Sequence, residues 1–265
     1  MGSVRRAIAG QRMPVTAIRI DRSRFERNLL LGYALFYIFA AWCTARLSLA
    51  FPAPLLGAAS LTHQIWYVFG FKIFGLLLVP AIALRKLRYR FRDIAGPDPW
   101  GRSTLFAAAF AYALGLSINL GHVSHIQAAM ASDALDLVPV RLGLGIVLPL
   151  LYAGIPEEVF FRALLQTRLE ASSGRVVAIL VSNTLFTAWH IPTRYLLSSG
   201  VEGTAGDFAS VLLGTGLPVF IAGLVFSLLW DRYRKLVPLI AAHWGVDTLP
   251  AISSLMGVLT SNAGR

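Results

Sequence analysis

Long apolar runs separated by short arginine-rich connections set the pattern of this chain. Residues 29–50, 61–84, 103–121, 141–168, 176–196, a run that closes at Asp231, and 236–257 approach or exceed the roughly 20 residues that a helix needs to cross a bilayer. Arg85, Lys86, Arg88, Arg90, Arg92 and Arg102 surround a Gly-Pro-Asp-Pro turn at 96–99. Arg168 with Arg175, and Arg232, Arg234 and Lys235, mark two further basic connections. The connections between these carry little charge or mixed charge: a Pro- and Gly-rich stretch at 51–60, a polar stretch with His122, His125, Asp133 and Asp136, and a loop with Arg194, Glu202 and Asp207. Basic connections stay on the cytoplasmic side of a membrane. The alternation therefore predicts an all-α, polytopic transmembrane helix bundle of about seven spans, with the N-terminus cytoplasmic and the C-terminus across the membrane. A half-helix around 122–140 would raise the count to eight.

Composition agrees. Of 265 residues, 56% are hydrophobic and only 14% charged, whereas soluble chains carry about a quarter charged residues. The net charge of +11 would suggest nucleic acid if it formed one patch, but it is divided among connections, so no nucleic-acid partner is expected and the lipid bilayer is. Residues 1–28, with Arg5, Arg6, Arg12, Arg19, Arg22, Arg24 and Arg27, read as a basic cytoplasmic arm. The bundle then occupies 29–258 and a short tail 259–265. Ser48-Leu49-Ala50 resembles a signal-peptidase site, but the basic region before it is too long and the run too span-like for a cleaved leader. A single Cys43 rules out an intrachain disulfide and a cysteine metal cluster.

Charge inside these runs is expensive, about 2.5–3.5 kcal/mol per group at mid-bilayer on insertion scales. Pro156-Glu157-Glu158-Val159-Phe160-Phe161-Arg162 places three charges in one run. On a helix Glu158 and Arg162 share a face and can neutralise each other, while Glu157, about 100° away, is left over. His190 in the fifth run, and His243 with Asp247 on one face of the seventh, are the other deep acids and histidines. At 1.5 Å per residue, Glu157 lies roughly 16 Å from Arg168, His190 roughly 20 Å into its run and His243 roughly 12 Å from Lys235, so all three sit near mid-membrane. Such groups also have ordinary uses. A Glu-Arg pair can be purely structural, a membrane histidine can bridge helices, and Trp189 and Trp244 can simply pack. His63, His122 and His125 lie near the membrane surface, where hydration or local hydrogen bonding accounts for them.

Glu157-Glu158-x-x-x-Arg162, Phe186-x-x-x-His190 and His243-x-x-x-Asp247 resemble, in order and spacing, the three motifs of the CPBP family, the CAAX-prenyl-protease and bacteriocin-processing intramembrane endopeptidases. The likeness covers about 141–258. It implies a helical bundle with a catalytic cavity inside the membrane and hydrolysis of a peptide bond, near the C-terminus of a membrane-associated protein or peptide. It also implies catalytic roles for Glu157, His190, His243 and Asp247: Glu157 activates water with help from His190, and His243 with Asp247 stabilises the oxyanion. Arg162 would hold Glu158 in structural support. An ionised Asp247 cannot donate a hydrogen bond, so it would act by orienting His243 or while protonated.

The residues leave other readings open. A zinc ion on Glu157, His190 and His243 is the alternative to catalysis without a cofactor; no H-E-x-x-H accompanies these residues. Neither a G-x-S-G motif nor a G-x-G-D motif occurs, since position 204 is threonine. A catalytically silent scaffold or bacteriocin-immunity protein would share the fold, and a transporter would be expected to show internal repeats, of which none is visible. Prenylated C-terminal peptides, bacteriocin precursors and C-terminal sorting signals remain as substrates, in the plasma (inner) membrane if the source is bacterial. The motif residues are expected to converge on a polar cavity reached from the cytoplasmic side.

Overall fold

A backbone in lipid must satisfy every N–H and C=O within its own segment, so apolar runs of this length become helices. The computed structural model describes residues 20–257, apart from 59, 61, 62, 87, 133–135 and 199–201; most of the basic arm, Asp133 and the tail 259–265 lie outside the described residues. The chain forms α1 (Ile20–Ala50), α2 (Trp66–Lys86), the short α3 (Phe91–Ala95), α4 (Arg102–Ile118), α5 (His122–Met130), α6 (Val138–Ser173), α7 (Arg175–Leu197), α8 (Phe208–Tyr233) and α9 (Leu236–Met256). No strand occurs among the described residues beyond an isolated bridge between Pro54 and Gln64.

Five helices, α1, α2, α6, α7 and α8, are long and apolar enough to cross a membrane, and six segments are if α4 and α5, which meet at 81°, form one broken span. The 21 residues of α9 could cross the hydrocarbon core by length, at 1.5 Å each, but His243, Asp247, Pro238 and Pro250 dilute its apolar character. Seven spans is therefore an approximation. The segment expected as a half-helix at 122–140 is the nine-residue α5, bent sharply off α4.

Pro149 and Pro156 do not break α6. Wide π-type turns follow them at Leu150–Gly154 and Glu158–Gln166, so the helix continues past the missing proline donors through a geometry found frequently at functional sites. The second of these turns carries Glu158 and Arg162.

α9 packs against α4 with the two backbones almost touching. A Cβ on Gly245 would lie 2.3 Å from the Tyr112 carbonyl oxygen, and one on Gly115 2.4 Å from that of Ala242. Small residues at such crossings give helices their van der Waals contact in a medium with no hydrophobic drive between them. Gly245→Val should force α4 away from α9, at a cost of about 1–3 kcal/mol or more. Thermal unfolding in detergent should show a clear loss of stability; an unchanged melting curve would contradict this close crossing.

The two ends of the bundle are built differently. At the end bearing the arginine-rich connections, Arg168 on α6 donates to Glu26 on α1 (2.8 Å) and to the Tyr89 hydroxyl (2.6 Å), which in turn donates to Glu26 (2.9 Å). Arg175 pairs with Asp231 at 2.5 Å, Arg234 pairs with Glu170, and Lys235 donates to Thr104 at 3.1 Å. Beneath these contacts Ile94, Ala163, Leu164, Phe226, Trp230, Leu236, Leu239 and Ile240 form one buried apolar cluster. At the other end, Arg141 holds the carbonyls of Leu255 (2.6 Å) and Leu56 (3.0 Å), fastening the start of α6 to the end of α9 and to the 51–60 connection.

Candidate active site

Glu157 and Glu158 project from the middle of α6 and are buried, with relative exposures of 1% and 0%. Glu158 Oε2 lies 3.4 Å from Arg162 Nε, one helical step along the same face. Arg162 also donates to the Gly223 carbonyl at 3.2 Å and stacks its guanidinium over the Phe186 ring, 4.0 Å from the centroid. The close approach of α8 at Gly223, where a Cβ would come within 3.2 Å of Arg162 Nη2, makes room for this large buried cation.

The other oxygen of Glu158 reaches α9. Its Oε1 lies 2.7 Å from His243 Nδ1, so the imidazole donates there and turns its Nε2 toward Glu157 Oε2 (3.7 Å) and Asp247 Oδ2 (3.6 Å). Arg162, Glu158, His243 and Asp247 thus form one chain of contacts, and Asp247 is its most exposed member, with a side chain 34% accessible. On α7, His190 Nδ1 lies 2.8 Å from the Phe186 carbonyl. A carbonyl only accepts, so Nδ1 carries the hydrogen and Nε2 of a neutral ring is an acceptor.

The sequence reading missed Lys72. This α2 residue is buried, 2% exposed, and its ammonium pairs with Glu157 Oε1 while lying 4.1 Å from the centroid of the Trp189 ring. Glu157 Oε2 has no hydrogen-bond partner among the described residues. A lone lysine inside the second apolar run was the available signal, by the same criterion that singled out Glu157.

Glu157, His190, His243, Asp247 and Lys72 all line one cavity of about 430 Å³. Its walls come from one half of each helix. α9 contributes nothing before His243 and then Val246, Asp247, Pro250, Ala251 and Ser254; α7 contributes only from Phe186 to Arg194, and α2 only Tyr67 and Lys72. Val219, Ala222 and Phe226 of α8, with Ser60, His63, Asn119 and Glu202 from the connections, complete it. Glu157 is its floor, and the cavity rises away from the arginine-rich connections. Entry was expected from the side of those connections, yet the lining runs the other way, and large apolar residues such as Trp230, Leu236 and Leu239 pack the half of the bundle nearest them. His63 is buried at the wall, 3.2 Å from Ser254 Oγ, and burial pushes its imidazole down to about 4.

Among the described residues no three His, Cys, Asp or Glu side chains are grouped so as to hold a metal ion. Lys72 places a cation on one oxygen of Glu157, and the Phe186 carbonyl engages one nitrogen of His190.

Comparison with known proteins bears on the same stretch. No curated protein and no solved structure matches the chain. Residues 139–249, from the start of α6 into α9, match the family model described as type II CAAX prenyl endopeptidase Rce1-like, the assignment expected of a CPBP-family intramembrane protease.

Proposed function

We propose that this chain is an intramembrane endopeptidase in which Glu157 activates water for attack on a peptide bond, without a cofactor. The observation that carries the reading is the convergence of α2, α6, α7, α8 and α9 on one cavity into which Lys72, Glu157, His190, His243 and Asp247 all reach. Glu157 Oε2, with no hydrogen bond among the described residues, is free to take a proton from water. His190 Nε2, held as an acceptor by the Phe186 contact, orients that water. The resulting hydroxide adds to the scissile carbonyl, and His243 Nε2, when protonated, donates to the oxyanion; Glu158 fixes its ring from behind. Glu157 then passes its proton to the departing nitrogen, so water and one peptide bond become a carboxylic acid and an amine. Asp247 acts on His243 by orientation. Lys72 holds the buried Glu157 and offsets its charge.

The substrate class follows from the site's depth: a peptide or protein segment that enters the membrane. Terminus mapping of membrane proteins tests the activity. Cells carrying the wild-type chain should show at least one new peptide terminus that is missing when Glu157→Gln is present at matched abundance. Identical termini in both would leave the silent scaffold as the better reading.

A further inference from the structure

We infer that the scissile bond reaches Glu157 from the non-cytoplasmic side, so that the substrates are membrane-inserted or membrane-anchored polypeptides whose cleavage site has been translocated. The inference rests on the proposed active-site reading of the cavity and adds a direction to it. Two independent features supply that direction.

The first is the one-sided lining. From His243, the residues Val246, Pro250 and Ser254 recur at helical spacing along one face of α9 up to the 51–65 and 198–207 connections, and no residue of 236–242 touches the cavity. Tyr152 and Ala153 on α6 continue the wall from Glu157 in the same direction. The opposite half is closed by the apolar cluster that includes Ile94 of α3, Trp230 and Leu236, and beyond it by the contacts of Arg168, Arg175, Arg234 and Lys235. A polypeptide coming from that side would have to break these contacts and dissolve a packed core.

The second is the charge asymmetry. Arg85, Lys86, Arg88, Arg90, Arg92 and Arg102 are all exposed at the closed end, which the positive-inside rule assigns to the cytoplasm. The end with the cavity carries the Arg194–Glu202 pair at 2.9 Å and no comparable basic cluster. The open end is then the translocated end. A cytosolic tail approaching from the arginine-rich face meets the closed side of the bundle.

Thiol accessibility tests this without a substrate, so its outcome is independent of whether the chain cleaves anything. In a Cys43→Ala background, Ser254→Cys and Val246→Cys report on the cavity, and Arg88→Cys reports on the basic connection. The probe is a membrane-impermeant maleimide applied to intact cells and to inside-out vesicles, with labelling in detergent as the control for folding and reactivity. Ser254→Cys should label at least tenfold faster in intact cells than in inside-out vesicles, with Val246→Cys slower in the same direction and Arg88→Cys reversed. Cavity cysteines that label preferentially in inside-out vesicles would overturn the inference, whether the cause is a reversed topology or a second mouth. If Ser254→Cys fails to fold, Pro250→Cys on the same face provides the same reading.

Discussion

Glu157→Gln should lower cleavage by at least about 10²-fold, the low end of what a positioned general base contributes, and should also destabilise the protein. The second effect comes from Lys72. With the carboxylate gone, a buried ammonium loses its ionic partner, and breaking a buried pair by removing one member costs about 3–5 kcal/mol. A simple activity assay on Glu157→Gln would confuse these losses. The double variant Lys72→Met/Glu157→Gln separates them: it removes both charges, should melt close to wild type in detergent, and should remain inactive. Recovery of cleavage in the double variant would eliminate Glu157 as the base. A double variant no more stable than Glu157→Gln alone would show that Lys72 and Glu157 are not energetically coupled.

Arg162→Ala should cost about 3–5 kcal/mol for the same physical reason and should do so without any change to the residues facing the proposed water. Arg162 is fully buried, is stacked on Phe186, and is fixed to Glu158 and the Gly223 carbonyl. Its loss leaves Glu158 with only His243 to offset its charge. Folded yield and melting temperature should fall sharply, and Arg162→Lys should recover only part of the loss, since an ammonium cannot reproduce the planar contacts to Glu158, Gly223 and Phe186 at once. Full stability of Arg162→Ala in size-exclusion and melting assays would mean that Glu158 does not depend on this partner.

Much of this was legible in the chain because mid-membrane charge is rare and costly. The Glu158–Arg162 spacing, the leftover Glu157, and the histidines of the fifth and seventh runs could all be found by asking which polar groups lie far from a basic connection. Lys72 meets the same criterion, but a criterion restricted to acids and histidines, the groups that do proton chemistry, does not reach it. The contact between His243 and Glu158 was out of reach, since spacing along α9 pairs His243 with Asp247 and says nothing about which carboxylate on α6 faces it. The direction in which the cavity extends is not legible in the chain for a related reason. Depth along a helix tells how far a residue lies from each surface, not which half of the bundle is hollow. That depends on how Phe226, Trp230, Leu236 and Leu239 interlock across helices. Span counting failed mildly at α9, where the residues that make the site interesting also make the helix less apolar.

The stretch that matches the family model begins at 139, yet much of what it needs lies before that point. Phe160 packs edge-on against Tyr33 at 5.5 Å, and Trp189 against Tyr37 at 5.7 Å. Arg168 finds its carboxylate on α1, and Glu157 finds its ammonium on α2. Excised alone, 139–249 would present bare aromatic faces and two widowed charges to lipid. The heritable signature and the cooperative folding unit are thus of different lengths, and the anterior third of the chain serves as a fitted template for the part that bears the motifs. Split within the α5–α6 connection, the two fragments would be complementary halves, each stable only in the other's company.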